Sequence, residues 1–451
     1  MDEKMKKIST HFHSGYLLIG VAILTLLGMQ SAQAVPSFAN QTGQSCVACH
    51  AGGQYPELTP YGRMFKLTGY TMGERSNPLA AMVVASRTST KNSDGSTLNG
   101  RAIVDFASVF LAGKVTDNIG GFAQYTQSFY DTQDPNNNWA GHFAADNFDL
   151  RYADRQIDTK NDVVWGLTLH NNPSVQDVWN SSPAWGYPYV STTHGAFGAL
   201  PVATLVEGAL AQQVAGIGGY AFLNKSVYAE ITSYQTAKGS TSFLSYGSKT
   251  GDSNHPLTLL DGNALYWRLA YTHEWGAQNM MVGAFGLNAR TFPNDPASNM
   301  PVTDAGSTHF KDIGIDAQYQ YLMSPHTFTG NFRAVHETIN DASLTAYAAP
   351  ASLNTLMVKA SYVYREKYGG SLVYKTVTGS ADTSAYSFSA LNVPDASMWT
   401  TELFWIPLQN VRLGIQYSWF TKYAGASSNY DGSGRNASDN ATTYLYLWTA
   451  F

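Results

Sequence analysis

Apolar and polar residues alternate along most of the chain after about residue 79. The ranges 312–321, 356–365 and 411–420 each place aliphatic or aromatic residues at every second position, with mostly polar or small residues between them. Because successive side chains of a β-strand point to opposite faces, each range has one apolar face and one polar face. A soluble β-sandwich alternates as well. The repeated aromatic residues at the ends of these apolar stripes suit membrane interfaces instead, so the pattern favours a barrel with lipid outside and a wet lumen.

The lengths of the connections support the same architecture. Short turns alternate with long connections rich in Asn, Asp, Ser and Gly, as in barrels with short periplasmic turns and long external loops. Counting predicts about 16 strands, an even number that puts both ends of the barrel on the periplasmic side. Short turns are predicted at 116–119, 158–161, 224–225, 276–279, 323–325, 365–368 and 408–410, and long connections at 91–99, 131–140, 172–202, 237–261, 292–305, 340–352, 379–395 and 424–440.

Composition agrees with an all-β outer-membrane protein that contacts outer-membrane lipid. Charged residues make up 13% of the chain, and the 28 tyrosines contribute to an aromatic content of 13%. An ordinary soluble domain carries about 25% charged residues. The net charge of −5 gives no reason to expect nucleic acid as a partner.

The first 34 residues are typical of a secretory signal peptide. Lys4, Lys6 and Lys7 form a basic start, an apolar run spans 16–29, and Ala32-Gln33-Ala34 matches a cleavage site. An uncleaved anchor is the alternative, but the apolar run of about 14 residues is shorter than the roughly 20 that a spanning helix needs. We expect cleavage after Ala34 and export of the mature chain.

The only two cysteines of the chain lie in the sequence Cys46-Val47-Ala48-Cys49-His50. In a C-x-x-C-H motif two thiols bond covalently to one haem while the histidine binds its iron. A zinc site usually needs four ligands, and a thioredoxin-like redox pair needs a βαβ context that the flanking sequence lacks. We therefore predict one covalent haem c, bound by Cys46 and Cys49, with His50 as the proximal iron ligand.

Residues 35–77 form the predicted monohaem cytochrome c module, between the signal peptide (1–34) and the barrel (78–451). A module of this size cannot build a sufficient core alone. We therefore expect it to pack inside the lumen as a plug, where a barrel this wide leaves space. Met72 or Met64 is a candidate for the distal iron ligand, and a barrel residue or an open position remains possible.

The same module resembles the fused monohaem cytochrome–porins of the bacterial outer membrane, whose best-known members are iron oxidases. The matching residues are Pro36-Ser37-Phe38-Ala39, Gln41-Thr42-Gly43, the C-x-x-C-H motif, and most of 56–71 from Pro56-Glu57-Leu58-Thr59-Pro60 to Gly69-Tyr70-Thr71. Asn40 departs from the arginine common in that family. The resemblance implies that extracellular ferrous iron reduces the haem, which passes electrons to a periplasmic cytochrome or other carrier.

Three functions remain open from the sequence. The first is single-electron transfer from an external donor, with a possible iron:cytochrome c oxidoreductase activity and no separate catalytic residues. The second is a porin whose haem plug is structural or regulatory, and the third is outward electron transfer. Because tunnelling falls steeply with distance, an external donor requires a haem near the outer mouth or near a loop.

Two groups of charged residues could take part in these functions. The charges in phase with the lumen could hold the plug or conduct ions, although solvation of a wet lumen is the interpretation we favour. The loop carboxylates could attract a hard cation. The lumen group comprises Asp149, Arg151, Arg268, Glu274, Asp312, Asp316, Arg333, Glu337, Lys359, Arg365, Glu402 and Arg412, and the loop group comprises Asp131, Asp134, Asp295 and Asp304.

Overall fold

The computed structural model describes residues 36–53, 56–91, 97–134, 136, 138–190, 199–246, 258–295, 298, 300–341 and 350–451. The predicted signal peptide and its cleavage site after Ala34 lie outside the described residues. The division of the chain at residues 34 and 77 therefore stays a prediction.

Sixteen antiparallel strands form one closed barrel, which confirms the predicted fold class and strand number. Each strand pairs with the next along the chain, and β1 pairs with β16 to close the sheet. Closure pairs the backbone groups that an open edge would leave exposed to lipid. The strands are β1 Leu79–Thr90, β2 Ala102–Lys114, β3 Ile119–Gln133, β4 Trp139–Ile157, β5 Asp162–His170, β6 Val214–Leu223, β7 Val227–Thr236, β8 Ala264–Trp275, β9 Gln278–Thr291, β10 Thr308–Met323, β11 His326–Asp341, β12 Ala351–Tyr364, β13 Tyr368–Gly379, β14 Ala396–Leu408, β15 Val411–Lys422 and β16 Thr442–Ala450.

Side chains alternate between the two faces of the wall as the sequence predicts. On β10, Ile313 and Ile315 are 49% and 53% exposed on the outer surface, whereas Asp312 is 1% exposed inside the barrel. A continuous outer surface of this kind requires lipid around it. The chain is therefore an outer-membrane β-barrel protein. None of the described helices is long and apolar enough to cross a membrane.

The N-terminal segment, defined here as residues 36–77, lies inside the barrel at the end with the short turns. It contains the helices α1 Pro36–Thr42, α2 Cys46–Cys49 and α3 Pro60–Leu67. The third helix begins where Pro60 occupies its first position and Oγ1 of Thr59 accepts a hydrogen bond from Gly62 N at 3.2 Å. Gly69 of the segment lies beside Asn118 O and Ala153 Cβ, which are close to the short turns. The segment therefore reaches the short-turn rim.

The connection between β5 and β6 also enters the lumen, and we call its described residues 171–190 the infolded connection. Val175, Val178 and Trp179 are fully buried there. The sequence-based expectation of an external polar loop at 172–202 is therefore wrong for this part. Apolar side chains at these positions are removed from water, and Asp177 pairs with Arg268 of the wall at 3.3 Å.

Candidate functional site

The C-x-x-C-H residues lie on one short helical turn and the residue after it. His50 N donates to Cys46 O at 2.8 Å, and Leu58 forms an isolated β-bridge with His50. The third helix packs directly on this turn, since a Cβ at Gly62 would overlap the Cys49 carbonyl oxygen. Tight local packing therefore fixes the relative positions of the two thiols and the imidazole.

No disulfide joins Cys46 and Cys49. Burial, and then the neighbouring Cys46, raise the pKa of the Cys49 thiol to about 11. A thiol with a raised pKa stays protonated at neutral pH and is a weak nucleophile. These are not the properties of a thiol–disulfide exchange pair, which needs a thiolate of lowered pKa.

Both cysteines and His50 line a cavity of about 180 Å³. The cavity is bounded by three parts of the molecule, which are the N-terminal segment, the wall strands β2 and β3, and the infolded connection. Sequence analysis found only the first of these, because wall and connection residues approach the motif only after the barrel closes. The aromatic residues of the lining are Phe38, Phe65 and Tyr70 from the segment, Phe110 and Phe122 from the wall, and Trp185 from the infolded connection.

These residues fit a c-type haem. The donor set is two thiols and one imidazole at the edge of a single cavity, which is the set that covalent haem attachment uses. The lining is largely apolar, as in most cofactor pockets, and six of its residues are aromatic. The assignment of haem c to Cys46, Cys49 and His50 stays a prediction.

Neither candidate for the distal ligand lines this cavity. Met64 packs against the buried cluster that contains Leu67, Val178 and Trp179, on another face of α3. The carbonyl of Met72 accepts a hydrogen bond from Gln41 Nε2 at 2.8 Å. The distal assignment to Met72 or Met64 stays a prediction.

Lys66 does line the cavity, although the sequence analysis did not select it. Its Nζ donates to Val175 O and Asp177 O, both at 2.7 Å, and to Asn180 Oδ1 at 2.8 Å. Burial, and then the nearby Arg151 guanidinium, lower the pKa of the Lys66 ammonium to about 7. This lysine therefore joins the N-terminal segment to the infolded connection beside the cavity.

Two ion pairs join the N-terminal segment to the wall, and a hydrogen bond joins it to Tyr189 of the infolded connection. Glu57 pairs with Lys359 and also accepts a hydrogen bond from Tyr189 OH at 2.5 Å. Arg63 pairs with Glu274 at 2.8 Å. Burial acts to raise the pKa of Glu57, but the Lys359 ammonium and the hydrogen bonds outweigh it and leave the pKa lowered.

The lumen charges therefore do more than solvate a wet interior. Lys359 holds the N-terminal segment, and Arg268 lies between Asp177 of the infolded connection and Asp316 of the wall, at 3.3 and 2.7 Å. The solvation interpretation that the sequence favoured is wrong for these residues. Arg365 differs from the prediction that it faces the lumen, because it lies exposed in the turn between β12 and β13.

The loop carboxylates serve their own turns. Asp134 Oδ1 accepts from the backbone N–H groups of Asn136 and Asn138, each at 2.8 Å. Asp295 Oδ1 accepts from Ser298 N at 2.7 Å. Among the described residues, no group of three or more His, Cys, Asp or Glu side chains is arranged to hold a metal ion.

The cavity lies near the short-turn rim, because Phe110 and Phe122 belong to the strand ends next to the turn between β2 and β3. It does not lie near the outer mouth, which was one of the two positions expected for an external donor. Among the described residues no external loop lines it either, since the infolded connection lies inside the lumen. The infolded connection brings Asn180 and Trp185 to the cavity from the long-connection side.

No protein-family model matches the chain, and no curated protein matches it. Solved outer-membrane channels are similar to it. The channel DcaP of Acinetobacter baumannii is 13% identical with a TM-score of 0.47, over 83% of this chain and 96% of that one. The anion-selective porin from Comamonas acidovorans is 11% identical with a TM-score of 0.45, over 83% and 98%. OmpF of Salmonella typhi is 11% identical with a TM-score of 0.43, over 83% and 97%. At identities and TM-scores this low, the similarity carries no argument about what this chain binds or transports.

Proposed function

We propose that this outer-membrane barrel protein transfers single electrons from an extracellular donor, most simply ferrous iron, to a periplasmic carrier such as a cytochrome, by means of one haem c. The observation that carries the proposal is the convergence of Cys46, Cys49 and His50 on one cavity inside a membrane barrel. The resemblance of the segment to the fused cytochrome–porins, which no family model tests, agrees with it.

The chain's own residues have defined tasks in this proposal. Cys46 and Cys49 would hold the haem through thioether bonds, and His50 would bind its iron. When bound, a haem supplies a one-electron iron couple, which matches the ferrous/ferric couple of the donor. Phe38, Phe65 and other aromatic side chains give the cavity an apolar lining, and an apolar shell tunes the potential of a redox metal.

The described part of the lumen is packed, which leaves less room for passive permeation than an open porin has. Trp179 and Arg268 are fully buried in the middle of the barrel, where an open porin would keep water. The N-terminal segment fills the short-turn end, and Lys66 ties it to the infolded connection. Electrons cross such a packed region by tunnelling, whereas hydrated solutes need an open passage.

A porin with a structural or regulatory haem plug is the second candidate. The observation in its favour is the 16-stranded barrel itself, which has the strand number of porins and is wide enough for an aqueous channel. In this alternative the N-terminal segment would move to open the passage. Breaking the Glu57–Lys359 pair would then increase conductance.

The deciding experiment mixes cells that carry this protein with ferrous iron in a stopped-flow spectrometer and follows haem reduction. We expect reduction in the wild type and in Val47→Ala, a matched control within the same motif. Cys49→Ser is expected to lose most of its covalent haem on a denaturing gel and to show only the background rate. Reduction no faster in wild-type cells than in Cys49→Ser cells would refute the electron-transfer proposal.

Planar-bilayer recordings separate the second candidate from the first. We expect the wild-type protein to conduct poorly, because the two segments fill the described lumen. Large ion currents from wild-type protein, together with no reduction of its haem by ferrous iron, would establish the porin alternative. A variant that loses the Glu57–Lys359 pair serves as the positive control for a loosened plug.

A further inference from the structure

A second cavity, of about 310 Å³, lies in the lumen on the long-connection side of the infolded connection. Thr355 of β12 and Lys375 of β13 line it from the half of the wall nearer the long connections, and Arg333 of β11 lines it near mid-height. Pro183 and Tyr187 of the infolded connection form its floor, and Glu207 lines it from the chain that leads to β6. We call it the outer cavity.

Its charged groups favour an anionic ligand. Arg333 and Lys375 are both cationic, whereas Glu207 is the one carboxylate among the described residues of the lining. Nε and Nη2 of Arg333 donate to Glu207 Oε1 at 3.2 and 3.1 Å, which uses one side of the guanidinium. The described lining thus carries two cations and one carboxylate, and Lys375 Nζ also donates to Tyr187 O in the floor.

The other side of the Arg333 guanidinium lacks an acceptor among the described residues. The residue is 6% exposed, and its Nη1 has no hydrogen-bond partner among the described residues. A buried guanidinium nitrogen without an acceptor is costly, and its planar donor geometry matches carboxylate and phosphate groups. A ligand with such a group would supply the missing acceptor.

Two further carboxylates near Glu207 are committed elsewhere. Asp312 Oδ2 accepts from Val206 N at 2.7 Å, and Glu337 Oε2 accepts from Leu205 N at 2.6 Å. They hold the backbone of the short turn before Glu207 and do not line the outer cavity. Their carboxylates therefore do not provide ligands for a bare cation in the outer cavity.

Only one layer of chain separates the outer cavity from the cavity beside Cys46 and Cys49. We call the cavity beside Cys46 and Cys49 the inner cavity. Within the short turn Pro183–Trp185, Trp185 lines the inner cavity while Pro183 lines the outer cavity. A Cβ at Gly186 would lie 3.8 Å from Arg333 Nη2, so this layer of chain packs beside the cationic group. A ligand beside Arg333 is thus close to the inner cavity although that cavity lies near the short-turn rim.

We propose that the outer cavity binds a small anion with two or more carboxylate or phosphate groups, through Arg333 and Lys375. Its role as a docking site for the electron donor rests on the function proposed above. In that role the outer cavity takes ferrous iron as a polycarboxylate complex and not as the bare cation. Charge-assisted hydrogen bonds from the Arg333 guanidinium provide the affinity for the anion. The single layer of chain between the two cavities keeps the bound anion close to the inner cavity.

Isothermal titration of the purified protein in detergent tests this site without any redox step. Citrate is the probe, and manganese(II) chloride tests for a bare divalent cation. We expect citrate to bind and manganese not to bind. Arg333→Gln is expected to weaken citrate binding by about tenfold or more, because a charge-assisted hydrogen bond is lost, whereas Arg333→Lys retains part of it. Arg155→Gln, at the short-turn rim, is the matched control and should bind as the wild type does.

Lys375→Met keeps the test decisive if Arg333→Gln does not fold, and it too should weaken citrate binding. Binding of manganese in place of citrate, or equal citrate affinity in the wild type and both cavity variants, would overturn the proposal. Cys49→Ser should bind citrate with unchanged affinity. If haem reduction fails while citrate still binds, the electron-transfer function alone is refuted. If haem reduction proceeds while citrate does not bind, this site alone is refuted.

Discussion

The two segments that fill the lumen differ in kind. The N-terminal segment is helical, carries the C-x-x-C-H motif, and meets the wall through Glu57 and Arg63. The infolded connection has irregular backbone, carries no motif, and meets the wall through an ion pair with the fully buried Arg268. The first segment carries the residues predicted to bind haem, and the second separates the inner cavity from the outer cavity.

This difference shows how a wide barrel can shelter a small module. A segment of this length cannot enclose a large cofactor by itself. Half of the aromatic lining of the inner cavity comes from outside the segment, namely Phe110, Phe122 and Trp185. The charged residues inside the barrel then act as fasteners for both segments, so lumen polarity here stabilises a packed interior.

The largest expected effect tests the infolded connection. In Arg268→Met, Asp177 and Asp316 lose their shared cation at full burial. Removing one partner from a buried ion pair costs about 3–5 kcal/mol, and two carboxylates are affected here. We expect a loss at the upper end of that range in urea unfolding followed by tryptophan fluorescence.

The control for this loss is Arg155→Gln, which removes the partly exposed pair with Asp162 at the rim. A surface pair is worth about 0–1 kcal/mol, so the midpoint should hardly move. Similar losses in the two variants would contradict the view that the infolded connection is held by buried charge.

A somewhat smaller effect tests the N-terminal segment. Glu57→Gln and Lys359→Met should each lower the free energy of unfolding by about 3 kcal/mol, because each leaves its partner buried without a counter-charge. The double variant should cost little more than one single variant. Additive losses in this double-mutant cycle would show that the two groups do not interact.

The smallest effect, taken per pH unit, concerns the joint between the two segments. The pKa of Lys66 is lowered to about 7 in the folded protein from an ordinary value of 10.5. Between these values the unfolded chain binds a proton that the folded protein does not, so stability rises with pH from about 7 to about 10.5. The contribution is at most about 1.4 kcal/mol per pH unit.

Urea titrations at several pH values across this window measure that slope. Lys66→Met removes the titrating group, so its stability should depend less on pH than that of the wild type. The comparison of slopes is the readout, because the substitution also changes the absolute stability. Equal slopes in the two proteins would show that Lys66 keeps its ordinary pKa in the folded state.

The sequence by itself determined the wall and the motif. Side-chain direction repeats every two residues in a strand, so alternation alone revealed which residues face lipid, as Ile313 and Ile315 do. The alternation of short turns and long connections set the strand number. The C-x-x-C-H spacing and the start of α3 at Pro60 are local, and they need no knowledge of distant residues.

Part of what the sequence analysis missed was also local. Gly62, Phe65 and Lys66 line the inner cavity, whereas Met64 packs elsewhere. Positions three and four apart share a face of a helix, so this spacing separates Met64 from the lining residues. In the infolded connection, Trp179 and Trp185 were the signal, because an ordinary external loop has little reason to carry apolar residues at these positions.

Only the tertiary structure decided what meets across the lumen. Phe110 of β2 and Phe122 of β3 line the same cavity as the motif, although both strands lie far from it in the sequence. Lys359 of β12 pairs with Glu57. These contacts depend on the closure of sixteen strands and on the inward path of one connection. Periodicity and motif spacing act over a few residues, whereas the position of one wall relative to the opposite wall is set by the pairing register of every strand between them.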